Sequence, residues 1–371
     1  MNITHVVENL NRGGLERMVI ELVRVQHAQG QHCQIVCLYE AGTLAPEVAA
    51  MGVPVYACGK RRGLDVRALW RARRAVRRHG TEVLHTHNAM AHYQAVLACT
   101  GLGIRRVINT RHSMSSNRRA PRLEWLYRRA LARTDAVVAV CEAARADAVA
   151  LGIVPAAKSR VVRNGIPVAS FAPANAARHR QLCVALGVAQ ASRIVGTVGR
   201  LTRIKDQANL IRAFAQLHAG VPDAVLVLVG DGPLRAELEQ GARAAGVAAA
   251  VHFLGDRNDV RDLLQGFDLF VLCSRSEAYS MALLEASATA LPIVATEVGG
   301  NGEIVQAGRT GWLVPPGAPT ALADAMAAAL ANGGAAREYG AAARRWALAE
   351  GSLETMAQRY LTLYRDPAQQ P

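Results

Sequence analysis

Val225-Leu226-Val227-Leu228-Val229 is an unbroken apolar run. A strand with one wet face would alternate, so a continuous run reads as a parallel strand covered on both sides. Shorter β-rich runs recur along the chain, over residues 3–8, 34–39, 53–57, 82–87, 106–109, 136–140 and 159–162. They return over 194–198, 224–229, 251–254, 269–273 and 293–296. Helical spacing fills several of the gaps, over 15–29, 66–78 and 89–100, and again near the end over 335–348 and 353–364. Strand–helix alternation twice over predicts two doubly wound, Rossmann-like α/β domains, with ligands bound at the carboxyl ends of the strands. The turn Arg163-Asn164-Gly165-Ile166-Pro167 marks the joint. The expected division is 1–168, then 169–350, with 351–371 as a final helix that could pass back to the first domain.

Several classes of protein are excluded at this level. No run approaches the ~18 uninterrupted apolar residues of a membrane span, and the start Met1-Asn2-Ile3-Thr4-His5 lacks the basic and apolar regions of a secretory signal. The seven cysteines, at 33, 37, 58, 99, 141, 183 and 273, form no Cys-x-x-Cys and leave one over, which suits reduced thiols in a cytoplasmic protein.

Charge separates the two halves. Residues 1–170 hold 25 Lys and Arg against 11 Asp and Glu, whereas 171–371 hold 18 of each. The excess concentrates in two segments, 61–78 and 105–133. On a helical projection Arg67, Arg71, Arg74 and Arg78 form one stripe opposite Leu69, Ala72 and Val76; Arg122, Arg129 and Arg133 repeat the pattern, with Leu123, Leu126 and Ala130 facing the core. Such faces are either solvated or apposed to an anionic surface, where each cation is worth ~1 kcal/mol. A peripheral position on the inner face of the cytoplasmic membrane is the expectation.

Chemistry-bearing motifs follow the strands. Asn11-Arg12-Gly13-Gly14 opens a helix and offers backbone N–H groups to an anion. Gly199-Arg200-x4-Lys205 places a guanidinium and an ammonium in one loop, a pairing suited to a diphosphate. In Ser274-Arg275-Ser276-Glu277-Ala278-Tyr279-Ser280-Met281, Glu277 ends a loop and the amides from Ala278 to Met281 start a helix. Two turns on, Glu285 sits among Leu283, Leu284 and Ala286, where a carboxylate needs a partner such as a ribose diol.

The spacing Glu277-x7-Glu285, with Gly199-Arg200-x4-Lys205, Val229-Gly230-Asp231-Gly232-Pro233, Asn164-Gly165-Ile166 and Gly13-Gly14, resembles the retaining GT-B glycosyltransferases of family 4. The resemblance runs from residue 13 to about 303. It implies two Rossmann-like domains facing across a cleft, and transfer of a sugar from a UDP- or GDP-sugar to a hydroxyl of a glycan or lipid-linked acceptor. The anomeric configuration would be kept, with no cofactor and no metal. Cell-surface polysaccharide or lipopolysaccharide synthesis is the implied setting. By the same resemblance Arg200 and Lys205 would neutralise the leaving diphosphate, Glu277 and His87 would lie at the transferred sugar, and Glu285 would bind the ribose. Gly13, Gly14, Gly199, Ala278, Tyr279, Ser280 and Met281 would line the donor, and Arg111 and His112 the acceptor. The chain departs from the family pattern at Ser280 and at Asn301-Gly302. No Asp-x-Asp triplet is present to clamp a metal. The alternatives are a transferase for a small soluble acceptor and, in another class, a basic nucleic-acid-binding protein, for which no RRM, KH, zinc-finger or helix-turn-helix signature is found.

Overall fold

The computed structural model describes residues 1–11, 13–114 and 121–368; Arg12 of the Gly13-Gly14 motif and Arg118 and Arg119 of the second basic segment lie outside them. The chain divides into two units, Met1–Ile166 with Leu353–Pro371, and Pro167–Ser352.

The first unit is a seven-stranded sheet of β1 Asn2–Val7, β2 His32–Cys37, β3 Val55–Ala57, β4 Val83–His87, β5 Arg106–Arg111, β6 Ala136–Ala139 and β7 Ser159–Val161. The strand order is β3-β2-β1-β4-β5-β6-β7, and every pairing is parallel. Its core on one face joins Val7, Ile20, Val23 and Ile35 to Leu353, Met356, Tyr360 and Tyr364 of the helix Leu353–Arg365. The final helix is therefore a core element of the first unit.

The second unit repeats the plan with β8 Arg193–Val198, β9 Ala224–Val229, β10 Val251–Gly255, β11 Leu269–Leu272, β12 Ile293–Thr296 and β13 Trp312–Val314, ordered β10-β9-β8-β11-β12-β13 and again parallel. All six residues of β9 are buried, as its unbroken apolar run predicts. The sequence reading leaves out β13, a three-residue strand wedged between Gly311 and Pro315.

In both sheets the strand order reverses once, between β1 and β4 and between β8 and β11. At such a point the connections leave in opposite directions and open a crevice at the carboxyl ends.

One local expectation is corrected. In the helix Pro121–Ala130, Leu123 and Leu126 are 40% and 37% exposed, while Tyr127, Ala130 and Leu131 supply the core contact. Trp70 and Trp125 are likewise exposed, at 58% and 55%. Arg74 lies over the Trp70 ring and Arg129 over Trp125, at 5.3 and 5.0 Å.

Candidate active site

The reversal in the second unit gathers the ionic residues. The loop after β8 carries Gly199, Arg200 and Lys205; the loop after β11 carries Ser274 to Ser280. Lys205 Nζ donates to Glu277 Oε1 at 2.5 Å, and the Ser274 hydroxyl donates to the same oxygen at 2.6 Å. Thr296 Oγ1, on β12, donates to the Ser274 carbonyl at 2.6 Å. Beside this pair, Arg275 Nε donates to Asp206 Oδ2 at 2.8 Å. Arg200 is exposed, and its guanidinium has no partner among the described residues.

Glycine makes these loops possible. A Cβ on Gly299, whose φ is +49°, would lie 1.7 Å from the Glu277 carbonyl oxygen, and Gly300 N–H donates to the Ala278 carbonyl at 3.1 Å. The turn Val298–Asn301 thus presses on the backbone that carries Glu277. Gly230, at φ +123°, packs on the carbonyl of Gly199, whose oxygen would lie 2.4 Å from an added Cβ.

Tyr279 and Ser280 are buried where the helix Met281–Ala288 begins, and Ser280 Oγ accepts from Leu283 N–H at 3.4 Å. Serine at this position is therefore a helix cap. Ala278 and Met281 flank it, both half-buried. Glu285, on this helix, has no hydrogen-bond partner for its carboxylate among the described residues. Burial pushes its carboxyl up to about 7, with Arg261 pulling weakly the other way. The residue as a whole is half-buried. The structure thus joins Lys205 to Glu277, whereas Arg200 and Glu285 bond to neither.

Within the sheet, the reversal in the first unit is built from neutral rings. His5 on β1 and His85 and His87 on β4 are enclosed, at 0–1% exposure. His5 bonds to Gln26 Oε1 (2.9 Å) and to His87 (3.1 Å), and His87 bonds onward to His112 (3.1 Å). His85 lies between the Tyr364 hydroxyl (2.6 Å) and Thr110 Oγ1 (2.8 Å), and Thr110 meets Tyr360 at 2.9 Å. Burial drives His5 down to about 4 and His112 to about 3; it drives His85 and His87 well below the usual imidazole range, with neighbouring rings adding to the effect. Ring nitrogens of His5, His85 and His87 come within 4.8 Å of one another. Both nitrogens of each ring already have protein partners, so this triad does not fit a metal.

The sequence reading expects His87 at the substrate. Both of its nitrogens are spent on His5 and His112, which places it behind His112. His112 is half-buried, and its backbone N–H donates to Asn88 Oδ1 at 3.3 Å. Its neighbours Arg111 and Ser113, with Glu8, Asn88, Met90 and Tyr93, line a cavity of about 270 Å³ at the ends of β1, β4 and β5. Arg111 stacks on Tyr127 at 5.1 Å. Gly13 N-caps the helix Gly14–Ala28, which has no side-chain cap, and there is open space where a Gly14 Cβ would stand. His5, Gln26, Tyr360 and Tyr364 were not singled out from sequence; the available signal was a polar ring inside β1 and a Gln on the core face of a helix.

The predicted basic patch is partly in structural use. Arg67, Arg71, Arg74, Arg78, Arg122, Arg129 and Arg133 are all exposed. Arg71, however, donates to the Cys58 carbonyl at 2.8 Å, and Arg133 bonds to Thr100 Oγ1.

Two family models match the chain: Glycosyltransferase Family 4 over residues 12–170 and Glycosyl transferases group 1 over 184–346. The alpha-maltose-1-phosphate synthase of Mycolicibacterium smegmatis is 33% identical, over 76% of this chain and 78% of that protein. A UDP-Gal:alpha-D-GlcNAc-diphosphoundecaprenol alpha-1,3-galactosyltransferase of Escherichia coli is 27% identical, over 67% and 66%. The crystal structure of Anabaena Alr3699/HepE in complex with UDP superposes with a TM-score of 0.88 at 21% identity, covering 98% of this chain and 100% of that one. The chain belongs to the family 4 glycosyltransferases of the GT-B fold and is a nucleotide-sugar-dependent transferase.

Proposed function

We propose that the protein transfers a sugar from a UDP- or GDP-sugar to a hydroxyl of a glycan or lipid-linked acceptor in cell-surface polysaccharide or lipopolysaccharide synthesis, with retention and without a metal. The observation that carries the reading is the ionic set at the β8/β11 reversal: the Lys205–Glu277 pair, the unpartnered Arg200 and the unpartnered Glu285. In this reading Arg200 and Lys205 take up charge as the diphosphate leaves, a task that the absence of any Asp-x-Asp triplet assigns to the protein itself. Glu285 accepts from the ribose hydroxyls, and Glu277, fixed by Lys205 and Ser274, accepts from the transferred sugar. The amides from Ala278 to Met281 supply helix-start dipoles to the phosphates. With no second carboxylate placed as a nucleophile, the departing phosphate oxygen takes the acceptor proton while the new bond forms on the same face.

The cavity lined by Glu8, Asn88, Arg111 and Ser113 is the acceptor site in this reading. The lipid-linked acceptor draws support from the first unit. Trp70, Trp125, Leu123 and Leu126 are exposed beside Arg67, Arg74, Arg78, Arg122 and Arg129, the composition of a surface that sits in a lipid headgroup layer. Among the described residues no helix is long and apolar enough to cross a membrane.

A thermal-shift panel of UDP, GDP and their common sugar nucleotides tests the donor, since a ligand at 100 times its Kd adds ~2.7 kcal/mol. A flat response to all of them would remove the reading. Turnover unchanged by EDTA, an α-linked product from an α-linked donor, and flotation with vesicles of phosphatidylglycerol but not phosphatidylcholine are the expected outcomes for metal, stereochemistry and membrane.

A further inference from the structure

We propose that Gln26, His5 and His87 form a relay that fixes the tautomer of His112, so that its ring offers an unprotonated Nδ1 to a hydroxyl of the substrate. The argument follows the donors and acceptors along one chain of bonds. Gln26 Nε2 donates to the Tyr364 hydroxyl at 3.2 Å, which leaves the Tyr364 proton free for His85 Nδ1 at 2.6 Å. Gln26 Oε1 therefore faces His5, and the Cys33 thiol, kept protonated by burial, donates to the same oxygen at 3.8 Å. A carbonyl oxygen only accepts, so His5 carries its proton on Nε2 and its Nδ1 is bare.

The next two links follow from the first. His5 Nδ1 meets His87 Nε2 at 3.1 Å, so His87 must supply the proton there and its own Nδ1 is bare. That Nδ1 meets His112 Nε2, also at 3.1 Å, so His112 donates in turn. The relay ends at His112 Nδ1, a lone pair with no partner among the described residues. Burial keeps His5, His87 and His112 neutral and so preserves the one-proton-per-ring logic. A neutral ring with a bare nitrogen accepts from a hydroxyl and repels a phosphate or carboxylate oxygen. His112 is thus set to read the sugar hydroxyls of the substrate and to leave anionic groups to other residues. His5, His87 and Gln26 are positioning residues that act through it. The substrate half of this inference rests on the glycosyl-transfer reading above; the tautomer half stands without it.

Long-range ¹H–¹⁵N correlation on full-length protein labelled with ¹⁵N-histidine reads the tautomers directly. The expected result is a proton on Nε2 of His5, His87 and His112 alike. A proton on His112 Nδ1, as a network with Gln26 reversed end for end would give, overturns the relay. His5→Phe removes the acceptor for His87 and should turn His112 into a mixture of tautomers; His5→Asn, whose carbonyl can stand where Nδ1 stood, should restore the single form. An unchanged His112 in His5→Phe, judged on protein that melts like His5→Asn, also overturns it. In a titration with UDP-glucose, UDP-galactose, UDP-N-acetylglucosamine and GDP-mannose, the His112 Nδ1 resonance should move with a sugar nucleotide that stabilises the protein and stay still with UDP or GDP alone. Stabilisation without that movement removes the hydroxyl contact. Stabilisation by none of them removes the transferase reading and leaves the relay to the tautomer result.

Discussion

The two units reverse strand order at matching points and equip those points with opposite chemistry. At β1/β4 the polar residues sit on the strands themselves, and sheet and helix layers close over them. At β8/β11 they sit on the loops that follow, where Lys205 and Glu277 keep 26% and 11% of their side-chain surface. A group inside the sheet loses water on every side, so it persists there only as a neutral ring with its hydrogen bonds already made. A loop residue keeps enough solvent to remain ionised and needs only one opposite charge. Placement along the strand thus decides whether a reversal point works by lone pairs or by charge.

Acid should separate the units most strongly. The unfolded chain protonates each histidine below about pH 6.5, whereas the folded first unit holds His5 to about 4 and His92 to about 3. The unfolded state therefore binds more protons as pH falls from 6.5, and stability drops until the folded values are reached. At pH 5 these two rings cost about 2 kcal/mol each, with His85 and His87 adding in the same direction. Glu8 and Glu16, raised by burial, oppose the trend. Hydrogen exchange read by mass spectrometry at pH 7.5 and 5, corrected for intrinsic rates, should show β1, β4 and β5 losing protection before β8, β9 and β11. Loss led by the second unit would break the comparison.

Charge should matter more to turnover than the histidines do. Arg200→Met and Lys205→Met should each lower kcat by ~10²–10³, the usual scale for a lost transition-state donor. His112→Phe removes one neutral hydrogen bond and should lower kcat/KM by about tenfold. Equal losses in all three variants would show that the reversal points do not divide the work in this way.

Glu285 lies in the second unit but follows the rule of the first. Its carboxyl, raised to about 7, prefers the neutral form in the folded state. Its contribution to stability is fully present below the unfolded value near 4.5 and lost as pH rises through 7. Glu285→Gln should therefore stabilise the protein by about 3 kcal/mol at pH 8 and by less than about 1 kcal/mol at pH 5. The same variant should bind the nucleotide sugar more weakly, since an amide cannot accept from both ribose hydroxyls. Denaturant melts at the two pH values and a donor titration check both halves.

The ladder of parallel strands was legible because a strand buried on both faces has to be apolar throughout, as β9 is. The ionic loop was legible for a related reason: Glu285 among leucines and alanines is costly without a partner, and the Arg200 and Lys205 spacing lies within one loop. The histidine chain was not. His5, Gln26, His87 and Tyr364 are far apart in sequence, and only the parallel register, which sets His5 beside His85, and the docking of the last helix bring them together. Leu123 and Leu126 misled because an apolar stripe in the sequence looks the same whether it faces a core or is left exposed.

Gly299 tests how finely the loop site is held. The structure gives Gly299 a steric duty: φ is +49°, and an added Cβ would sit 1.7 Å from the Glu277 carbonyl oxygen. An alanine can be accommodated only if the backbone of Glu277 and Ala278 retreats, which moves the carboxylate that Lys205 and Ser274 hold. Gly299→Ala should cost about 1–2 kcal/mol of stability from the left-handed backbone and the clash. It should also lower kcat about tenfold with little change in KM for the nucleotide, because Arg200 and Glu285 lie on other segments. Gly302→Ala, where only the Leu313 side chain comes within 3.8 Å of the added Cβ, is the matched control and should leave kcat within twofold. If both alanines behave alike, the turn is a flexible linker and Glu277 is positioned by Lys205 and Ser274 alone.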